Sequence, residues 1–573
     1  MSIDRREFFI QCGAAVTSIA ALPLISWTNG LKYIDGDSVG IIKKLSLLND
    51  KSVEDLLKRQ VDEPSSRWNG GVYNGYDIPN AHATANFICK LGISYASEYS
   101  RYHLSERLLK PLERAITCLL NVQYDDGTVD LHSTNFHSTP DTAFIVNDLV
   151  PLYVCLKRLE RSELESFLAK VKRFLLNTGK CLMDGGIHTA NHRWVVTAAL
   201  ARVHSLFPSE KYAKRIDEWL SEGIDLDPDG QYPEKSVSIY SPVCDNMLIT
   251  ISRLADRPEL LDVVRKNLEM TLYYIQPGGE VVTNISGRQD KSRIGYVNHY
   301  YYAYRYLAIK DQNPVFASVC QLIEDKMPER ITDFLPYLME DPVFDQEMPS
   351  PSALPDNYFK RFSYSGIFRI RRGNTDISVV ENEPIFLTYR KGEAVMQAMA
   401  LAAAFYASAQ FVSQECNFYG GEIILKKYLT KGYYQPYPIE KRDGDVDWNE
   451  MDREKREITK EQTLEMVVKI KETKGKVSVD VSITGTPHVP VSWELSFRKG
   501  GKLSGVTEDE HVTDAYFLEE GKGQYRVGND VIRFGEGHVT HKWSQMRGML
   551  PKQEGYSVYL TGYTPFRHQL FIS

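Results

Sequence analysis

The sequence predicts a mainly helical N-terminal toroid, with about six helical pairs, followed by a C-terminal antiparallel β-sandwich region. Two observations carry this. From about residue 40 to 325, apolar residues recur at three-to-four spacing, without interleaved strands. After about residue 350 the apolar period changes to two, with Gly-rich turns. The expected segments are 1–30, 35–345 and 350–573.

Residues 1–30 open with Arg5-Arg6, Glu7-Phe8-Phe9 and a moderately apolar run through Leu22. A twin arginine before such a run is similar to a twin-arginine export signal. The run is too short to span a bilayer. The expected compartment is the periplasm, with no membrane insertion of the mature chain. An ordinary N-terminal helix is the other reading.

The toroid segment shows helical periodicity over Ala81–Tyr99, Ser105–Asn121, Thr139–Leu159, Arg161–Asn177, Thr189–Ser205, Ser236–Ala255, Arg257–Tyr274 and Arg293–Ile309. Turns such as Pro228-Asp229-Gly230 and Pro277-Gly278-Gly279 separate them. Pro140 fits a first helical position, with Thr139 as N-cap. Strand alternation appears in Phe362–Arg372, Asp376–Val380, Lys474–Ile483 and Gln524–Asn529. Gly392–Phe411 reads as an Ala-rich helix by composition, or as a fully buried strand pair. The charged run Asp443–Arg456 reads as a solvated loop.

Of 573 residues, 43% are hydrophobic and 25% charged, which excludes a mainly disordered chain. The charges, 68 basic against 75 acidic, leave no footprint for nucleic acid. Eight cysteines include no CxxC pair, and the seven other than Cys12 read as buried free thiols, not as a disulfide framework or zinc site. The aromatic residues, 34 Tyr, 23 Phe and 7 Trp, suit sugar-binding clefts as well as large cores.

Polar residues stand out where helices begin. The first group is His188-Thr-Ala-Asn191-His192, where an Asn amide can donate to a carboxylate and a neutral His can donate or accept. Helix capping and a surface His would explain the same pair. The second is Glu234-Lys-Ser236 with Tyr240 one helical turn past Ser236. The third is Asn284–Asp290, where Arg288 could grip a uronate carboxylate or pair with Asp290. Of the following Tyr300–Tyr302 run, helical geometry lets at most one or two line a pocket; Tyr301 is the candidate. Further candidates for substrate contact are Asn135 and His137 in one loop, and Trp68 and Asn74 in another. His538 and His541 form a lone HxxH, and no metal-ligand set is assigned.

The Asn191-His192 pair, the Glu234–Tyr240 segment about fifty residues later, and a toroid followed by a sandwich together resemble the heparinase and oligoalginate polysaccharide lyases. As a whole the chain looks most like the family of L-rhamnose-α-1,4-D-glucuronate lyases. The resemblance implies β-elimination at a 4-linked uronic acid in a glycan. It assigns the chemistry to Asn191, His192 and Tyr240, with Arg288 able to offset the carboxylate charge and His188 and Glu234 beside them. No metal, nucleotide or redox cofactor is required by this chemistry. Two other readings stay open. One is a glycoside hydrolase on a similar toroid, such as an unsaturated glucuronyl hydrolase, using carboxylates among Asp141, Asp148, Asp229 and Glu234. The other is a non-catalytic periplasmic glycan-binding protein.

Overall fold

The computed structural model describes residues 38–441 and 447–573. The Arg5-Arg6 segment and the first residues of the charged run at 443–456 lie outside the described residues. The chain forms two compact units, divided between Leu354 and Pro355.

The first unit holds twelve helices among the described residues. They are α1 (Ser38–Lys58), α2 (Ala81–Ala96), α3 (Glu106–Val122), α4 (Thr139–Lys157), α5 (Glu165–Asp184), α6 (His192–Leu206), α7 (Glu210–Leu220), α8 (Tyr240–Leu254), α9 (Leu260–Thr271), α10 (Tyr301–Lys310), α11 (Pro314–Lys326) and α12 (Leu335–Glu340). Helices α2 to α11 pair as five successive hairpins, while α2, α4, α6, α8 and α10 pack in series as an inner ring. Helices α12 and α1, from opposite ends of the unit, meet each other, and α12 packs on α4, which closes the ring.

Composition sorts the two layers. An inner helix has neighbours on every side, so α6 is buried continuously from His192 to Val203 and α10 from Tyr301 to Ile309. An outer helix has one wet face, and in α7 only Ile216 and Trp219 are buried. Each inner helix returns through an outer partner, so the inner helices run in one direction. Their N-termini therefore share one rim.

Three short hairpins also lie on that rim: β1 (Val72–Tyr73) with β2 (Pro79–Asn80), β3 (Val129–Leu131) with β4 (Asn135–Ser138), and β5 (Glu280–Val281) with β6 (Gly295–Tyr296). They correct the expectation of helices without interleaved strands. Strands of two to four residues are too short to display a period of two. Hairpin β5–β6 and the turn Val297–Tyr300 also delay α10, which begins at Tyr301 and not at Arg293. Ser138 caps α4, accepting from the Asp141 N–H, and Thr139 is already helical.

The second unit consists of two antiparallel-rich sheets, one of nine strands and one of eight. Their inner faces share one core, built from residues such as Phe368, Met399, Trp493, Val468, Ile483 and Leu570. Within Gly392–Phe411, Ala394–Ala403 is a strand of the nine-stranded sheet, hydrogen-bonded between Leu387–Lys391 and Pro490–Phe497. It is buried almost throughout, so no alternation marks it. The described part of the charged run, 447–456, is largely exposed. All seven described cysteines are free thiols, and six are buried.

Candidate active site

The polar residues at the inner-helix N-termini come together on one rim. Asn191 occupies the N-cap position of α6 but has helical dihedrals and makes no capping bond. Its Oδ1 accepts from Thr189 Oγ1 at 2.8 Å, while its buried Nδ2 has no hydrogen-bond partner among the described residues. Capping therefore does not account for this side chain. His192 is also buried, and its Nδ1 has no partner there. Burial pushes the imidazole down to about 4, and His188 and Arg288 act in the same direction against Asp141. A neutral ring results at neutral pH. The His188 ring meets it edge-on, 4.6 Å between centroids.

Tyr240 is the first residue of α8, and its N–H donates to Ser236 Oγ at 3.2 Å. The Arg288 guanidinium lies 4.8 Å from the Tyr240 ring centroid. Gln289 Nε2 donates to the Tyr240 hydroxyl at 2.5 Å. Arg288 pairs with Glu234, Nε to Oε1 at 3.5 Å, and not with Asp290. Asp290 instead accepts from Ser236, Ser238 and Ser286 at 3.0, 2.7 and 2.5 Å. Gly287 N–H donates to the Glu234 carbonyl at 2.9 Å. These bonds fasten the loop 284–290 to the segment 234–240, so Arg288 and Gln289 are held against Tyr240. Burial pushes the Glu234 carboxyl up, against the pull of Arg288 and with help from Asp290.

A second group stands at the start of α4. Asp141 accepts from Asn135 Nδ2 at 2.8 Å and Ser138 Oγ at 2.5 Å, and its other oxygen is 3.5 Å from His82 Nε2. Burial pushes this carboxyl up, but the bonds from His82, Ser138 and Asn135 outweigh it and hold it at about 2. The Asn135 amide is thus engaged with Asp141.

The other expected contacts have partners of their own. His137, at φ 46°, pairs through Nδ1 with Asp126 at 2.8 Å and stacks on Tyr124 at 3.8 Å. Trp68 meets the His132 ring edge-on at 5.4 Å, joining two rim loops. Asn74 Oδ1 accepts from the N–H groups of Tyr76 and Ile78, closing a turn. Tyr301 is fully buried, and its hydroxyl donates to Glu324 at 2.6 Å. Its role is packing, which corrects the expectation that it lines a pocket; Tyr300 and Tyr302 are buried with it. Sequence reasoning passed over Gln289 and His82. His82 carries the signal used for the others, a polar side chain at the start of an inner helix, and Gln289 stands next to Arg288 in the loop 284–290.

Among the described residues, no three His, Cys, Asp or Glu side chains gather as a metal site. His538 stacks against His568, and His541 Nε2 lies 3.1 Å from the Gly562 carbonyl. No described helix is long and apolar enough to cross a membrane.

No family model and no curated protein matches the sequence. Solved structures do. The crystal structure of heparinase III matches with a TM-score of 0.53 at 11% identity, over 98% of this chain and 88% of that one. The fold is shared with polysaccharide lyases. A chondroitin AC lyase of Streptomyces coelicolor A3, solved with chondroitin sulphate, matches with a TM-score of 0.52 at 12% identity, over 99% and 82%. A Paenibacillus xanthan lyase gives 0.56 at 10% identity, over 93% of this chain and 57% of the longer one. At such identities the likeness is one of fold: helices first, antiparallel sheets after, over nearly the whole chain.

Proposed function

We propose that the chain is a polysaccharide lyase that cleaves a 4-linked uronic acid by β-elimination and leaves a 4,5-unsaturated uronate. The finer part of the proposal is the substrate: L-rhamnose α-1,4-linked to D-glucuronate, as on arabinogalactan. The observation that carries the chemistry is the Tyr240 hydroxyl held by Gln289 under the Arg288 cation, on the rim where Asn191 and His192 present unpartnered polar atoms.

The C5 proton of a uronate is weakly acidic because the adjacent carboxylate is charged. Donors that offset this charge make the enolate-like transition state accessible. The Asn191 amide has the free donor, and Arg288 supplies positive charge nearby. Tyr240, acting as the phenolate, then takes the C5 proton. The C5–H electron pair becomes the C4–C5 double bond, the C4–O4 bond breaks, and Tyr240 returns the proton to O4 of the departing sugar. In D-glucuronate the C5 hydrogen and O4 lie on one ring face, so one group serves both steps. Arg288, 4.8 Å from the Tyr240 ring centroid, supplies positive charge beside the phenolate, and Gln289 donates to its oxygen. For an epimer with O4 on the opposite face, neutral His192 is the base and Tyr240 the acid. None of these steps calls on a metal or redox group. The Arg5-Arg6 segment supports export to the periplasm.

The test is ultraviolet absorbance during incubation with a panel of uronic-acid glycans, including rhamnose-capped arabinogalactan. A rise from the new conjugated double bond, with free rhamnose released from the capped glycan, is the expected result. A rise only on heparin-like or alginate chains keeps the chemistry and overturns the substrate. Sugar release without a double bond indicates hydrolysis and overturns the proposal.

A further inference from the structure

Inner helices α2 and α4 are buried on almost every face, and the exceptions form stripes. On α2 only His82, Ala83, Asn86 and Lys90 keep solvent contact; His82, Asn86 and Lys90 are successive turns of one face. On α4 the central exceptions are Phe144 and Asp148, again one turn apart. Asp333, just before α12, is 63% exposed although α12 packs on α2 and α4. The stripes face one another. Lys90 Nζ is 2.6 Å from Asp333, Asn86 hydrogen-bonds Asp333, and Asp333 acts electrostatically on Asp148. Accessible side chains on helices that are otherwise packed line an open recess inside the ring.

The recess begins at the catalytic rim, because His82 at the top of its stripe touches Asp141, whose field reaches His192. From His82 to Lys90 it descends about 12 Å at 1.5 Å per residue. Farther in, desolvation reinforced by Asp333 pushes the Asp148 carboxyl up to about 6. Buried Tyr337, whose hydroxyl lies 3.4 Å from Asp148, stands at the deep end, backed by Arg202 at 4.9 Å.

We infer that this recess is the subsite of the departing sugar, and that it takes a single neutral pyranose and rejects an anionic one. The inference rests on the lyase reading above and deepens it. Carboxylate and amide oxygens of Asp148 and Asn86 accept hydrogen bonds from ring hydroxyls. Phe144 and the half-buried Phe334 offer apolar faces to ring C–H groups or a methyl. Asp148 and Asp333 face the Lys90 ammonium, and Arg202, which also acts on Asp148, is drawn to Glu340 at 3.9 Å, so a uronate or sulfated sugar meets net repulsion.

The test compares two oligosaccharides that share the cleaved glucuronate and differ in the cap, L-rhamnose in one and glucuronate in the other. The full chain should prefer the neutral cap. Asp148→Asn keeps a hydrogen-bonding group and removes a charge. It should raise kcat/KM for the anionic cap, relative to the neutral cap, by about tenfold or more. Asn86→Ala, at an exposed position, should raise KM for the rhamnose cap by about tenfold with kcat nearly unchanged. An unchanged cap preference in Asp148→Asn, together with an unchanged KM in Asn86→Ala, overturns the inference. Free L-rhamnose, observed by saturation-transfer NMR on the full chain, separates this inference from the lyase reading. If no glycan yields a double bond, rhamnose binding lost in Asn86→Ala still supports the recess. Binding that is absent, or indifferent to that change, overturns it.

Discussion

Replacing Asn191 by Ala separates function from stability, and the structure fixes both magnitudes. The side chain makes one hydrogen bond, from Thr189 to Oδ1, and leaves Nδ2 buried and unpartnered. Losing the bond costs about 1 kcal/mol, while removing an unsatisfied buried donor returns about 1–3 kcal/mol. No capping bond is lost. Folding stability of Asn191→Ala should therefore stay within about 1 kcal/mol of the parent, or rise. Catalysis should not. If the amide answers the charge that grows on the uronate, kcat/KM falls by about 10²–10³, the cost of one transition-state donor. Product absorbance gives the rate, and denaturant unfolding followed by circular dichroism gives the stability. A variant that loses about 2 kcal/mol of stability while its rate stays within about threefold would refute the reasoning, because Asn191 would then be a structural residue.

Other outcomes follow from the same geometry. Tyr240→Phe keeps the ring under Arg288 and removes the hydroxyl that Gln289 holds; turnover should vanish with the melting curve unchanged, and near-parental activity would remove Tyr240 from the mechanism. His192 has its imidazole lowered from 6.5 to about 4, so the unfolded chain takes up its proton first as the pH falls. Its contribution is complete above about 6.5 and lost on descent to about 4, with a ceiling of about 3 kcal/mol. Unfolding free energies of His192→Gln should vary less over that window, and parallel curves for parent and variant would contradict the assignment. In the second unit, Arg369 and Asp376 are both fully buried and joined by two bonds of 2.9 and 2.7 Å. Arg369→Leu should cost about 3 kcal/mol in denaturant unfolding, and adding Asp376→Leu should recover most of it.

The sequence by itself determined the order of the architecture. Helical spacing before residue 325 and strand alternation after 350 are local records of which residues turn inward, and a packed helix or sheet must obey them. It also marked a polar cluster, since polar side chains at the starts of largely buried inner helices have no packing reason to be there. His188, Asn191, His192, Glu234, Tyr240 and Arg288 do meet on one rim.

Tertiary structure decided what local spacing cannot express. Tyr301 and Tyr240 are each the first residue of an inner helix, yet one is sealed against Glu324 and the other lies under Arg288. Period counting did not separate helix from strand in Gly392–Phe411, because a strand buried almost throughout has no polar face; its two sheet neighbours settled it. The acid that pairs with Arg288 is Glu234, fifty-four positions away, because three serines already occupy Asp290. The stripes on α2 and α4 meet Asp333 only once α12 packs against those helices and closes the ring. Burial pattern is a property of each residue and its near neighbours, whereas a site is set by which distant side chains the closed ring brings within hydrogen-bond reach.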